Sequence, residues 1–252
     1  FHSCVLILFL VLVKKIYYSF KFLFLPGEGT GLGCCHPGAA RLCQRFYNRY
    51  HFATLYDTNH RIAVYSAYRF QPSNGGVYCP SQLVNLTWGA EMKDGTGWGK
   101  ITLGFTGERQ ALNEDYTHSG FDRGHLNPMD TFPSRNATFT LTNVVPQNPK
   151  LNQNAWVRHD AAQAYVLVGA IPSTDNWIVK DNVRRVNIPE YIWNAYCCVD
   201  NNGEPVRSGG ATALNTEQNR VDQRSLLELN GFLQQYSNAP VGELFHNNCQ
   251  AH

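Results

Sequence analysis

The chain has 252 residues, 43% hydrophobic, 13% aromatic and 16% charged, with a formal net charge of +2. That much apolar material supports a folded core and excludes a disordered chain, and the near-balanced charge excludes binding of nucleic acid through a broad basic surface alone. The length suits one large domain or two small ones. At the amino end, Val5 to Val13 is an apolar run about as long as the core of a signal peptide, but Lys14 and Lys15 stand where a small-residue cleavage site is expected. A second apolar stretch, Phe20 to Pro26, contains Lys21. These lysines interrupt the roughly 20-residue run that a membrane-spanning helix needs. The chain opens on Phe1 rather than Met, and residues 1–40 read as an atypical leader and linker, Gly-rich from residue 27. A damaged or misassigned signal is the first reading of the leader, a membrane anchor the second.

Residues 41–250 read as one α+β domain with a mixed or antiparallel sheet core and helices. Arg61 to Phe70 alternates and is rich in strand-forming residues. The composition of Leu151 to Tyr165 suits a helix whose start is confined by Pro146 and Pro149. Ala164 to Ile171 is a continuous apolar run typical of a buried strand, and Tyr191 to Val199 reads as another. Ser225 and Glu228 form a capping box, after which Leu226, Leu229, Phe232, Leu233 and Tyr236 repeat at helical spacing as a core stripe.

Eight cysteines without a CxxC pair argue for structural disulfides in an oxidising compartment rather than a zinc ribbon or thioredoxin-type site. Two glycosylation sequons, at Asn85 and Asn136, point the same way to a secreted or lumenal protein. The pairing of the cysteines stays open. If Cys4 leaves with a leader, seven remain and one is unpaired or intermolecular.

The chemistry concentrates between residues 121 and 160. Asp122-Arg123-Gly124-His125 sets an imidazole beside a guanidinium and a carboxylate. Histidine is the side chain suited to take a proton near neutral pH, and a guanidinium can hold a phosphate in a bidentate grip. Asn143, Asn148, Asn152 and Asn154 follow within twelve residues, and amide oxygens are hard ligands that suit magnesium or calcium rather than zinc. Each feature also has an ordinary reading. The histidine can be a satisfied structural residue, an asparagine can cap a helix, and Asp122 with Arg123 can be a solvated pair.

FDRGHLNP followed by LTNVVPQNPKLNQNAW resembles the signature of the DNA/RNA non-specific endonucleases, whose site is a ββα-metal (His-Me) finger. Within that family LCQR (42–45), FATLYD (52–57), YSAYR (65–69), IWNAYCCVDNNG (192–203) and LFHNNC (244–249) are most similar to endonuclease domain-containing 1 proteins. The resemblance implies that His125 is the general base, Asn152 the sole direct protein ligand of one divalent ion, Arg123 the motif arginine near substrate, and Asn143 a residue holding the site's geometry. It also implies magnesium as the ion, with manganese or calcium substituting, and 5′-phosphate and 3′-hydroxyl products. The partners implied are DNA and RNA without sequence preference, with no organic cofactor and no membrane partner. Two departures stand out. Asp160 occupies the position, eight residues after Asn152, where the family usually carries a glutamate that holds water on the metal. Residues 75–82 lack the arginine that supports the transition state in relatives, leaving Arg69 or Arg109 as substitutes. The competing expectations are therefore a metal-dependent nuclease, a catalytically weak or inactive binding protein on the same fold, and an anchored structural protein.

Overall fold

The structure, a computed structural model, describes residues 38–46, 49–70, 109–127, 135–152, 163–218 and 220–250. Three strands open the domain, β1 (Ala39–Phe46), β2 (Arg49–Asp57) and β3 (Ile62–Phe70). Then come a one-turn helix α1 (Asn113–Tyr116), β4 (Asp122–His125), β5 (Val144–Gln147) and helix α2, described over Pro149–Asn152. The chain continues through β6 (Gln163–Ile171), the hairpin β7 (Trp177–Lys180) and β8 (Val183–Asn187), β9 (Tyr191–Val199), β10 (Pro205–Leu214), β11 (Val221–Arg224) and helix α3 (Leu226–Gln234). Seven strands form one sheet in the order β1-β2-β3-β6-β9-β10-β11, antiparallel throughout, while β4-β5 and β7-β8 make separate two-stranded ribbons. The class is α+β.

The central strands β6 and β9 are near-continuous apolar runs because both sheet faces are covered. Alternation sends Ala164, Val166, Val168, Ile192, Tyr196 and Cys198 into one core layer. Their neighbours Tyr165, Leu167, Trp193, Ala195 and Cys197 enter the other. The first layer also takes Leu126, Leu141, Val144, Val145 and Leu151, and so fixes β4, β5 and α2 to the sheet. The second takes Leu226, Leu229 and Leu233 of α3 with Leu244 and Phe245. Gly169 is needed between the strands, since a Cβ there would lie 2.5 Å from the buried indole of Trp193.

Sequence expectations hold closely for three strands and the cap. Ser225 Oγ accepts from Glu228 N at 3.2 Å, and the Glu228 carboxylate accepts from Ser225 N at 2.7 Å. Two expectations change. The segment read as a helix over 151–165 is helix at Leu151 and Asn152 but strand from Gln163 to Tyr165, where Tyr65–Phe70 and Tyr191–Val199 pair on either side of β6; residues 153–162 lie outside the described residues. The apolar stripe on α3 stops short of Tyr236, which lies beyond the helix end, is 44% exposed, and packs at a tilt against the rings of Tyr191 and Phe232 instead of entering the core. Arg61 is a turn residue with φ +56°, so the strand begins at Ile62.

Cys197 and Cys249 form a disulfide with Cα atoms 5.8 Å apart, fastening the C-terminal segment to β9. Cys43 and Cys198 are disulfide-bonded as well. Among the described residues no helix is long and apolar enough to cross a membrane. Residues 1–37, Asn85, Trp156, Asp160 and the segment 75–82 lie outside the described residues.

Candidate active site

The strand β4 carries the Asp-Arg-Gly-His run and pairs antiparallel with β5, His125 opposite Val144 and Asp122 opposite Gln147. Four-residue strands have no stability of their own. Here Val144, Val145, Leu126 and Leu151 are fully or almost fully buried against the main sheet, and the side chains of Asn143 and Asn152 hydrogen-bond across to the residues around β4. Gly124 is required by its neighbour. A Cβ at that position would meet the Gln147 side chain, with Gln147 Cβ only 2.7 Å away, so the glycine of β4 and the glutamine of β5 are one fitted pair.

His125 ends β4 and is 7% exposed, with the ring of Phe139 set edge-on at 5.1 Å. Removal from water disfavours the imidazolium and takes the pKa down from 6.5 to about 4. The ring is therefore neutral at physiological pH, the protonation state a general base needs.

The turn that follows His125 is clamped by Asn143, which is fully buried. Its Nδ2 donates to the carbonyls of Asn127 and Thr138, both at 3.0 Å. Its Oδ1 accepts from Asn127 N and Ser66 Oγ, both at 3.0 Å. The backbone adds Leu126 N to Asn143 O at 2.9 Å. All four hydrogen-bonding positions of the amide are used. Asn143 thus positions the histidine's turn against β3 and has no capacity left for an ion or a phosphate. Ser66 in turn shares a hydrogen bond with Thr54 at 3.1 Å, carrying the clamp into the sheet.

Asn152 lies on the first turn of α2, its N–H donating to Asn148 O at 2.9 Å. Its Nδ2 donates to Asp122 Oδ2 at 3.0 Å, which ties α2 to the first residue of the strand that ends in His125. This bond also settles which way the amide faces. The nitrogen is taken by Asp122, and Oδ1 is presented as the acceptor. Asn148 has the ordinary role, its Oδ1 capping α2 through Lys150 N at 3.0 Å.

Arg123 does not pair with its neighbour Asp122. Its Nη2 donates to the Asn113 side-chain and backbone oxygens at 2.6 and 3.0 Å, and the guanidinium lies 5.3 Å over the Tyr116 ring. Burial draws its pKa below the usual guanidinium value, with the Tyr116 and Asp122 charges acting in the opposite sense. Helix α1 is itself anchored by Asp115, which accepts from Arg185 Nε at 2.8 Å and Nη2 at 3.1 Å in a bidentate pair. The motif arginine is therefore built into the wall of the site. Arg69 leaves the sheet on the α3 side, 6.0 Å from the Tyr165 ring, so it lies across the sheet from His125 and does not supply the supporting arginine. Arg109 is exposed ahead of α1. Asn136 sits in a 3-10 turn at Arg135–Thr138, between β4 and β5.

The sequence model of the DNA/RNA non-specific endonuclease family matches residues 38–252. The chain belongs to this family. It is 32% identical over 197 residues to the human endonuclease domain-containing 1 protein, and 34% identical over 181 residues to the mouse protein of that name. These alignments cover 71% and 63% of this chain but only 38% and 34% of those relatives. A stretch of 51 residues, 19% of this chain and 17% of the relative, is 53% identical to human mitochondrial endonuclease G. Sequence reasoning assigned no role to three residues that build this candidate site, namely Ser66, Asn113 and Asn127. Ser66 bonds Asn143 across 77 positions, Asn113 holds Arg123 through its side chain and backbone, and Asn127 acts through its backbone alone, so none leaves a local pattern.

Proposed function

We propose that this chain is a metal-dependent endonuclease that hydrolyses phosphodiester bonds of DNA and RNA with little sequence preference and leaves 5′-phosphates. The observation that carries the reading is the hydrogen bond from Asn152 to Asp122, because it joins the amide of α2 to the strand that delivers a neutral His125. The donor set fits a magnesium-type ion. Asn152 Oδ1 is a single hard oxygen, and among the described residues there is no group of three or more His, Cys, Asp or Glu that would favour zinc. Asn152 would hold the ion, which when bound supplies electrostatic stabilisation of charge on the phosphate and the departing oxygen.

The protein's own residues do the rest. His125, kept neutral by burial, takes the proton from an attacking water. Asn143 fixes the turn that aims the imidazole, and Arg123 stabilises the adjoining wall through α1. With a net charge of only +2, contacts to phosphate and sugar at a short groove suit this chain better than base reading. The disulfides support a secreted or lumenal protein.

Plasmid nicking in millimolar Mg²⁺ tests the reading. The wild-type chain is expected to cut DNA and RNA, to lose activity in excess EDTA and to slow at high salt. His125→Ala is expected to lose roughly 10²–10⁴-fold in rate. Full activity without divalent ions, or retention of nucleic acid with no cleavage at any Mg²⁺ concentration, overturns it, the second result in favour of a binding protein.

A further inference from the structure

We propose that Asn215, in the loop after β10, is the positioning residue that sets the orientation of the metal-holding amide. This rests on the reading of Asn152 as the metal ligand. Asn215 lies 67 residues from Asn148 and belongs to no motif of the sequence, yet its side chain reaches the corner between β5 and α2. Its Oδ1 accepts from Asn148 N at 2.7 Å, and its Nδ2 donates to Pro146 O at 2.9 Å. The second Nδ2 proton goes to Pro189 O at 3.0 Å, in the connection between β8 and β9. Its own N–H donates to Glu190 O at 2.9 Å, so the side chain projects from backbone that is itself pinned to the sheet.

The consequence follows from where Asn148 sits. The first residues of a helix have backbone N–H groups with no partner inside the helix, so whatever holds them sets the direction in which the helix starts. Asn148 does this: its side chain caps Lys150 N and its carbonyl accepts from Asn152 N. Asn215 grips Asn148 from one side and Pro146 from the other, so the orientation of Asn152 is inherited from the end of β10 through one turn of backbone. An amide alone offers two in-plane donors and an acceptor at this spacing. Aspartate keeps the acceptor for Asn148 but turns an oxygen toward two carbonyls, and alanine leaves all three backbone groups without their partner. Leu151, fully buried, holds the helix against the core. The clamp fixes the backbone from which the helix starts.

The test measures Mn²⁺ binding to the full chain by electron paramagnetic resonance, alongside nicking at varied Mg²⁺. Asn215→Ala is expected to weaken Mn²⁺ binding and raise the half-saturating Mg²⁺ concentration by roughly tenfold, the size typical of lost support behind a metal ligand. The rate at saturating Mg²⁺ should stay within about threefold of wild type, since the outer support acts on affinity. Asn215→Asp, which keeps the acceptor for Asn148 N but sets an oxygen against the carbonyls of Pro146 and Pro189, should weaken Mn²⁺ binding at least as much, and serves in place of the alanine variant if that does not fold. Glu217→Gln, which removes the exposed pair between Glu217 and Lys150 on α2, should leave both readouts unchanged. A loss of thermal stability in the Asn215 variants with unchanged metal affinity overturns the proposal and makes the residue merely structural. If Asn152→Ala leaves Mn²⁺ binding intact, the ligand reading fails instead, so the two failures are distinguishable.

Discussion

The two faces of the main sheet are stabilised in different ways. On one side α3 docks three leucines onto Trp193, Leu167 and Leu244, starts at its own capping box, and has the adjoining C-terminal segment fastened by Cys197–Cys249. On the other side β4 and β5 are four residues each, and the amides of Asn143, Asn152 and Asn215 grip backbone or a carboxylate across the fold. Apolar packing tolerates small rotations because dispersion and burial have no strict direction. A hydrogen bond does have one. The face with the candidate chemistry therefore uses the interaction that fixes angles, and the back face uses the interaction that supplies bulk stability.

The comparison breaks most sharply with a pair of truncations. Asn143→Ala leaves the amide's buried partners unsatisfied and should cost roughly 3–4 kcal/mol in urea unfolding. Its misplacement of His125 should also cost about 100-fold in nicking rate. Leu229→Ala on the back face should cost a similar amount, about 3 kcal/mol, yet keep kcat/KM within about twofold. Equal losses of activity in the two variants would show that the faces are not separate. A second measurement uses pH. Unfolded His125 takes a proton below about 6.5 and the folded ring only below about 4, so its contribution is complete above pH 6.5 and is lost as pH falls through 4. Stability should drop by roughly 3 kcal/mol across that window, a slope that His125→Gln abolishes. The acidic limb of kcat/KM should likewise sit near pH 4 rather than 6.5, and a limb at 6.5 would show that the imidazole is hydrated in solution. The smallest effect is expected at the cap, where Ser225→Ala should cost about 1 kcal/mol and leave nicking unchanged.

Much of the back face was legible in the chain. Ser225 and Glu228 announce α3 because a cap is a contact between residues three apart, and Tyr191–Val199 announces β9 because alternate burial on two faces leaves a continuous apolar run. The candidate site was legible in its chemistry. His125, Arg123, Asn143 and Asn152 stand out by type and spacing. Their division of labour did not, since Asn143 and Asn152 are the same residue type nine positions apart. One has every hydrogen-bonding position taken and the other has a nitrogen held and an oxygen presented.

What the sequence determined by itself was the α+β class, the main strands, the helix cap and the residue types gathered at the candidate site, because these depend on residue type and on neighbours a few positions away. The tertiary structure alone decided that Arg123 turns to Asn113 rather than to Asp122. It also decided that Arg69 faces away from the histidine and that Asn215 reaches the corner before α2. Those outcomes depend on which strands become neighbours in the sheet, and no local spacing encodes the distance between residues that only folding brings together.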